Sequence, residues 1–133
     1  MGAPSTLIQP VDVAAPLGPY SHGVLVDGPG RWLHVSGQIG VDAAGQLGAG
    51  FEAQAELAWR NLVAVLHAAG MDVSHLVKVT TYLTSAADVT RLGPVRNAFL
   101  GTARPASTLV VVQALARAEW CVEVEAVAFL PLG

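Results

Sequence analysis

Two glutamates separated by one residue, Glu123 and Glu125 in "VEVEA", have the spacing best suited to chemistry in this chain. Residues two apart on a strand project from the same face, so both carboxylates point one way. A carboxylate in a partly buried place has its pKa moved toward neutrality, where it can take a proton from water. Tyr20 and His22 in "GPYSHG" are also two apart, and they offer a phenol and an imidazole as donor or acid. A third group lies in "ARPASTLVVVQAL", where Ser107 and Thr108 stand at the entry to an apolar strand and Arg104 precedes them. The two hydroxyls either bind a small polar group or satisfy backbone donors where the strand begins. Arg104 either reaches into a cleft or is a solvated loop charge.

Other reactive side chains carry less. His22, His34, His67 and His75 show no metal-ligand spacing, so neither a metal nor another cofactor is expected. Cys121 neighbours two glutamates, whereas a reactive thiolate needs positive charge nearby. "SGQIG" lacks the glycine loop and following helix of a phosphate cradle, and it reads as a strand end with close backbone approach.

These groups need elements to hold them. The proline-rich start, residues 1–15 above all, predicts an irregular N-terminal arm on a domain spanning 1–133. "HGVLV" and "RWLHVSG", joined by "DGPG", predict a hairpin. In "FEAQAELAWRNLVAVLHAAG", Ala55, Ala58, Trp59, Leu62, Val65, Leu66 and Ala69 form one apolar helical stripe. "LVKVTTYLT" alternates as a strand, with Val77, Val79, Thr81 and Leu83 on one side and Lys78, Thr80, Tyr82 and Thr84 on the other. "ADVTRLGPVRNAFL" predicts a weaker helix interrupted at Gly93-Pro94 with a fresh start there. Two further strands end the chain. The order ββ-α-β-α-ββ predicts an α/β (α+β) fold, one mixed sheet with both helices on a single face. Glu123 and Glu125 then belong to the face turned away from the helices.

Composition narrows the setting. The chain has 133 residues, 53% of them apolar and only 13% charged. No apolar run reaches membrane-spanning length, and the start lacks the basic and apolar regions of a signal peptide. The surplus apolar surface therefore points to a homo-oligomer interface. One cysteine fits a reducing cytoplasm, and a net charge of −3 with seven scattered Lys and Arg argues against nucleic acid.

"GPYSHGV", "SGQIG", "QAELAWRNLVAVLHAAG", "LVKVTTYLT", "RPASTLVVV" and "VEVEAVA", in this order and spacing, resemble the RidA/YjgF family, also called endoribonuclease L-PSP. The resemblance runs from about Gly18 to Ala128. It implies a chorismate-mutase-like fold, a six-stranded mixed sheet with two helices on one face. It also implies a trimeric barrel with ligand clefts at subunit boundaries. The implied activity is hydrolysis of reactive imines and enamines. Tyr20 matches the family's cleft tyrosine and Glu123 its water-holding glutamate. Ser107 stands where the family has a carboxylate-gripping arginine, and Gly93 where it has an asparagine.

Two readings follow: a small-molecule hydrolase whose substrate anchor differs from the archetype, or a small-ligand-binding regulator that uses the same cleft. An endoribonuclease or translation inhibitor fits the acidic charge least. The strand phase expected from Ser107 onward puts Val110 and Val112 beneath the helices, with Ser107, Leu109 and Val111 facing a partner subunit.

Overall fold

A computed structural model describes residues 5–132. Six strands and two helices follow in the order β1 (Ser5–Ile8), β2 (Gly23–Val26), β3 (Gly30–Ile39), α1 (Phe51–Ala68), β4 (Leu76–Leu83), α2 (Val89–Leu100), β5 (Ala106–Val111) and β6 (Val122–Pro131). Four strands form one mixed sheet in the order β3-β6-β4-β5, parallel only between β4 and β5. Both helices cover one face of it, as the sequence order requires.

Alternation decides which face. Val122, Val124, Ala126 and Ala128 of β6 are buried, together with Val79, Thr81 and Leu83 of β4. The α1 stripe Ala55, Ala58, Trp59, Leu62 and Leu66 lies on them with almost no solvent exposure. Apart from the Thr81 hydroxyl and the indole N–H of Trp59, which is buried without a hydrogen-bond partner, every side-chain atom of this interface is apolar, so its burial is favourable. α2 joins α1 through the stacked rings of Trp59 and Phe99, with centroids 6.0 Å apart. Arg91 adds a polar tie, donating to Glu52 on α1 and to Asp88 at its own helix start.

Three sequence expectations change here. The arm contains a strand, β1, which pairs antiparallel with β2. β2 and β3 do not form the hairpin that "DGPG" suggests, so the six strands divide into a ribbon of two and a sheet of four. The physical reason lies in Pro29. It has no N–H to close a turn back to Val26, and its carbonyl accepts instead from Leu132 at the chain's far end (3.1 Å).

The second helix is also not restarted at Gly93-Pro94. α2 runs continuously from Val89 with Pro94 inside it. Packing of Leu92 and Leu100, both buried, holds the turn that proline would break. The Thr90 carbonyl loses its i+4 donor as a result. Pro94→Ala restores that donor at an exposed position. It is expected to raise unfolding free energy by about 1 kcal/mol or more, read from the urea midpoint at unchanged m-value.

Candidate functional site

The N-terminal segment is fixed to the sheet by one small residue. Ser21 is buried; its N–H donates to the Pro105 carbonyl (3.1 Å) and its hydroxyl to the Arg104 carbonyl (2.6 Å). This bridge runs parallel to β5 at Ala106 and sets Tyr20 directly over the strand entry. Pro19, Tyr20, Val79, Arg96, Leu100, Pro105 and Ser107 enclose the deep end of a groove there. It opens outward between Leu17, Gly18 and Tyr20 on one side and Val89, Thr90, Arg96 and Leu109 on the other, about 460 Å³ in all. Tyr20 is braced by accepting a hydrogen bond from the Leu17 N–H (3.3 Å).

The register places this groove on the helix side. Ser107 pairs with Val79, Leu109 with Thr81 and Val111 with Leu83, all in the parallel β4–β5 ladder. Val79, Thr81 and Leu83 point beneath the helices, so Ser107 and Leu109 do too. The expected phase is therefore inverted. Val110 is 38% exposed rather than buried, and Leu109 packs against the cluster of Phe51, Ala55, Leu83, Leu92 and Val122. An apolar run such as "TLVVV" carries no polar residue to mark its face, and the partner strand alone sets the phase.

Thr108 accordingly lies on the other face, where its hydroxyl accepts from Lys78 Nζ (2.6 Å). That face carries a second groove of about 320 Å³, lined by Tyr82, Glu123, Glu125 and the loop around Val112, Ala114, Leu115 and Ala116. Tyr82 is the cross-strand neighbour of Glu123, and its hydroxyl donates to Glu125. This bond, with the nearby negative charges of Glu125 and Glu123, holds the Tyr82 phenol above its ordinary pKa. Glu123 itself lies flat over Gly37, where any Cβ would overlap its carboxylate. The close backbone approach expected in "SGQIG" is thus made by the glutamate.

Other candidates are placed differently from expectation. Arg104 does not reach Ser107: its guanidinium donates to the carbonyls of Gly101 (2.9 Å) and Ala103 (2.8 Å), closing the end of α2. The ring of His22 meets Tyr20 edge-on at 6.2 Å, yet its Nε2 bonds to the Ala14 carbonyl (2.6 Å) and ties down the arm outside the groove. Gly93 follows Val89 by four residues and precedes Arg96 by three, so it shares their helical stripe, and a Cβ there meets nothing within 4 Å. Cys121 packs toward the helix-side cluster rather than beside Glu123, and burial followed by the Asp88 charge pushes its thiol pKa up.

Sequence reasoning missed Arg96, because one arginine in a weak helix looks like a solvated charge. The signal was its helical spacing from Val89 and Gly93. Among the described residues no group of three or more metal-ligating side chains occurs, and no helix is long and apolar enough to cross a membrane.

Comparison with known proteins agrees with this architecture. The sequence pattern of the family described as Endoribonuclease L-PSP matches residues 12–130. Protein DfrA of Myxococcus xanthus is 41% identical over 114 residues, covering 84% of this chain and 86% of that protein. The 2-iminobutanoate/2-iminopropanoate deaminase of Bos taurus is 37% identical over 124 residues, covering 92% and 88%. Among solved structures, YyfB of Yersinia pestis, a Rid-family protein of unknown function, superposes with a TM-score of 0.86. It is 30% identical, and the match spans 96% of this chain and 100% of that one. The chain therefore belongs to the RidA/YjgF, or endoribonuclease L-PSP, family.

Proposed function

We propose that the protein is a small-molecule hydrolase of reactive imines or enamines, with Glu123 holding and activating the water. The observation that carries this reading is the seating of Glu123, a carboxylate held in a groove over Gly37 beside Tyr82 and Glu125. Glu125 is engaged by the Tyr82 hydroxyl, which leaves Glu123 as the free acceptor of the pair. The deaminase named among the relatives gives the reaction class.

The chemistry balances without a cofactor. Glu123 takes a proton from water as the oxygen bonds to the imine carbon. The C=N π pair moves to nitrogen, which takes up that proton. The second water proton follows as the C–N bond breaks, giving a carbonyl and ammonia. Positioned acid–base catalysis of this kind contributes about 10²–10⁴-fold.

Glu123 and Ser107 project from opposite faces of the same sheet, so one chain cannot bring both to one substrate. The proposal therefore includes a homotrimer in which the acidic face of one copy meets the Tyr20–Ser107 groove of the next. Apolar side chains suited to such an interface are in place, with Trp32 52% and Val111 47% exposed. Net charge and scattered cations leave nucleic acid as the least favoured partner. A cytoplasmic setting accords with the single cysteine.

The same opposition of faces favours the second reading, a ligand-binding regulator without turnover, if the copies do not meet in this way. Light scattering separates the two: a trimer is expected, and a stable monomer at micromolar concentration leaves only the binding role. With freshly generated 2-iminobutanoate or 2-aminoacrylate as substrate, Glu123→Gln is expected to lower kcat by about 10²–10⁴-fold with the fold intact. Equal rates for variant and wild type would overturn the assignment.

The Tyr82–Glu125 bond has its own signature. A phenol held above its ordinary value of 10.0 contributes stability that is complete below about pH 10. That contribution is lost as pH rises through the folded value. The chain has two tyrosines, so Tyr82→Phe leaves Tyr20 alone. Subtracting the variant's 295 nm titration from the wild type's should give a Tyr82 phenolate midpoint above pH 10.

A further inference from the structure

We infer that Arg96 is the anion anchor of the helix-side groove and that the ligand it holds is a small carboxylate lying between Tyr20, Ser107 and α2. This rests on reading the Tyr20–Ser107 groove as the ligand site, and it does not require that the ligand be turned over.

The groove supplies the argument. Arg96 lines both its deep end and its open part, together with Tyr20 and Ser107. Its Nη2 lies 3.9 Å from the place a Cβ would take on Gly18, so the guanidinium spans the groove from α2 to the N-terminal segment. Yet this cation has no ion-pair partner among the described residues. Among the described residues its one hydrogen bond runs from Nε to Asn97 Oδ1 (3.3 Å), and none of their carboxylates lies within ion-pair distance. The other groove-lining polar groups are neutral: the Tyr20 and Ser107 hydroxyls and Thr90. Every other arginine with a described side-chain bond is satisfied by carboxylates or backbone carbonyls: Arg60 by Glu56, Arg91 by Glu52 and Asp88, and Arg104 by Gly101 and Ala103.

Taking a cation partly out of water without a partner is costly, and the cost is recovered when an anion binds. The burial is enough to push the Arg96 pKa down, although an arginine stays charged at any physiological pH. A guanidinium with both Nη groups free fits a planar carboxylate through two parallel hydrogen bonds. Tyr20 and Ser107 line the same groove, and their hydroxyls can donate to the remaining oxygen lone pairs. Gly93, on the same helical stripe, leaves open space in which a ligand can reach the guanidinium.

Ser107 thus leaves the strand entry without a cation, while Arg96 brings one to the same groove from the opposite wall. The substrate class this allows is a 2-imino acid or a related short carboxylate, not only an uncharged imine.

The test uses 2-oxobutanoate as a stable probe, since hydrolysis of the corresponding imino acid replaces C=N by C=O. Calorimetric titration of the full-length protein should give binding at least tenfold tighter for 2-oxobutanoate than for 2-oxobutanamide. Arg96→Gln should remove that preference, and Arg96→Lys, which keeps the charge but not the fork, should restore part of it. Arg104→Gln should bind as the wild type does. Circular dichroism confirms that each variant is folded. Equal binding of acid and amide by the wild type would overturn the inference, as would an undiminished preference in Arg96→Gln. A carboxylate preference that depends on Arg96 in a protein that turns over no imine would sustain the anchor and refute the hydrolase.

Discussion

The period-two alternation of β6 governs the rest of this structure. Its even residues from Val122 to Ala128 are small and apolar, and α1 seats on them with its stripe fully buried. The odd residues Glu123 and Glu125 are then forced to the other side, whatever their chemistry requires. Because β6 lies between β3 and β4, both neighbours inherit this sidedness through the ladder. Tyr82 arrives opposite Glu123 for that reason, and Gly37 on β3, with no Cβ, leaves room for the carboxylate. The acidic face is therefore a consequence of how the apolar face packs.

The second organising contact is smaller. Two hydrogen bonds from Ser21 to the carbonyls of Arg104 and Pro105 fasten a long, irregular, proline-rich segment at a single point. That point is where β5 begins, so Tyr20 is suspended over Ser107 while Leu17 and Gly18 form a wall. Segments of this kind rarely have enough backbone bonds of their own, and a buried serine with both groups satisfied is an economical fixture. The ribbon of β1 and β2 remains a separate two-stranded unit, and Pro29 is the physical reason.

The two grooves differ in charge as well as in position. One holds two carboxylates and a phenol, and the other holds an arginine and neutral hydroxyls. Opposite charge on opposite faces gives two copies of this chain complementary surfaces. The charge of the helix-side groove comes from α2, which forms one of its walls, while the strand entry at Ser107 contributes a neutral hydroxyl.

Much was legible without coordinates. The α1 stripe, the paired glutamates, the facing of Val79, Thr81 and Leu83, and the family itself follow from periodicity and from motifs in register, because those patterns are local. The sequence also marked Tyr20, Ser107 and Glu123 as a set worth attention. What it could not express was how they are arranged. The uniform apolar run after Ser107 has no period, so only pairing with β4 could show that Ser107 faces the helices. The turn residues of "DGPG" suggest a hairpin locally, and only the contact between Pro29 and Leu132 reveals that the carbonyl is used elsewhere. Arg104 stands nearest to Ser107 in the chain, but helix-end carbonyls capture it, while Arg96, eleven residues away, reaches the groove. Sequence determined which residues lie on each face of an element, since that depends on backbone geometry alone. Tertiary structure decided which faces meet, since that depends on register, on burial and on which acceptors are already taken.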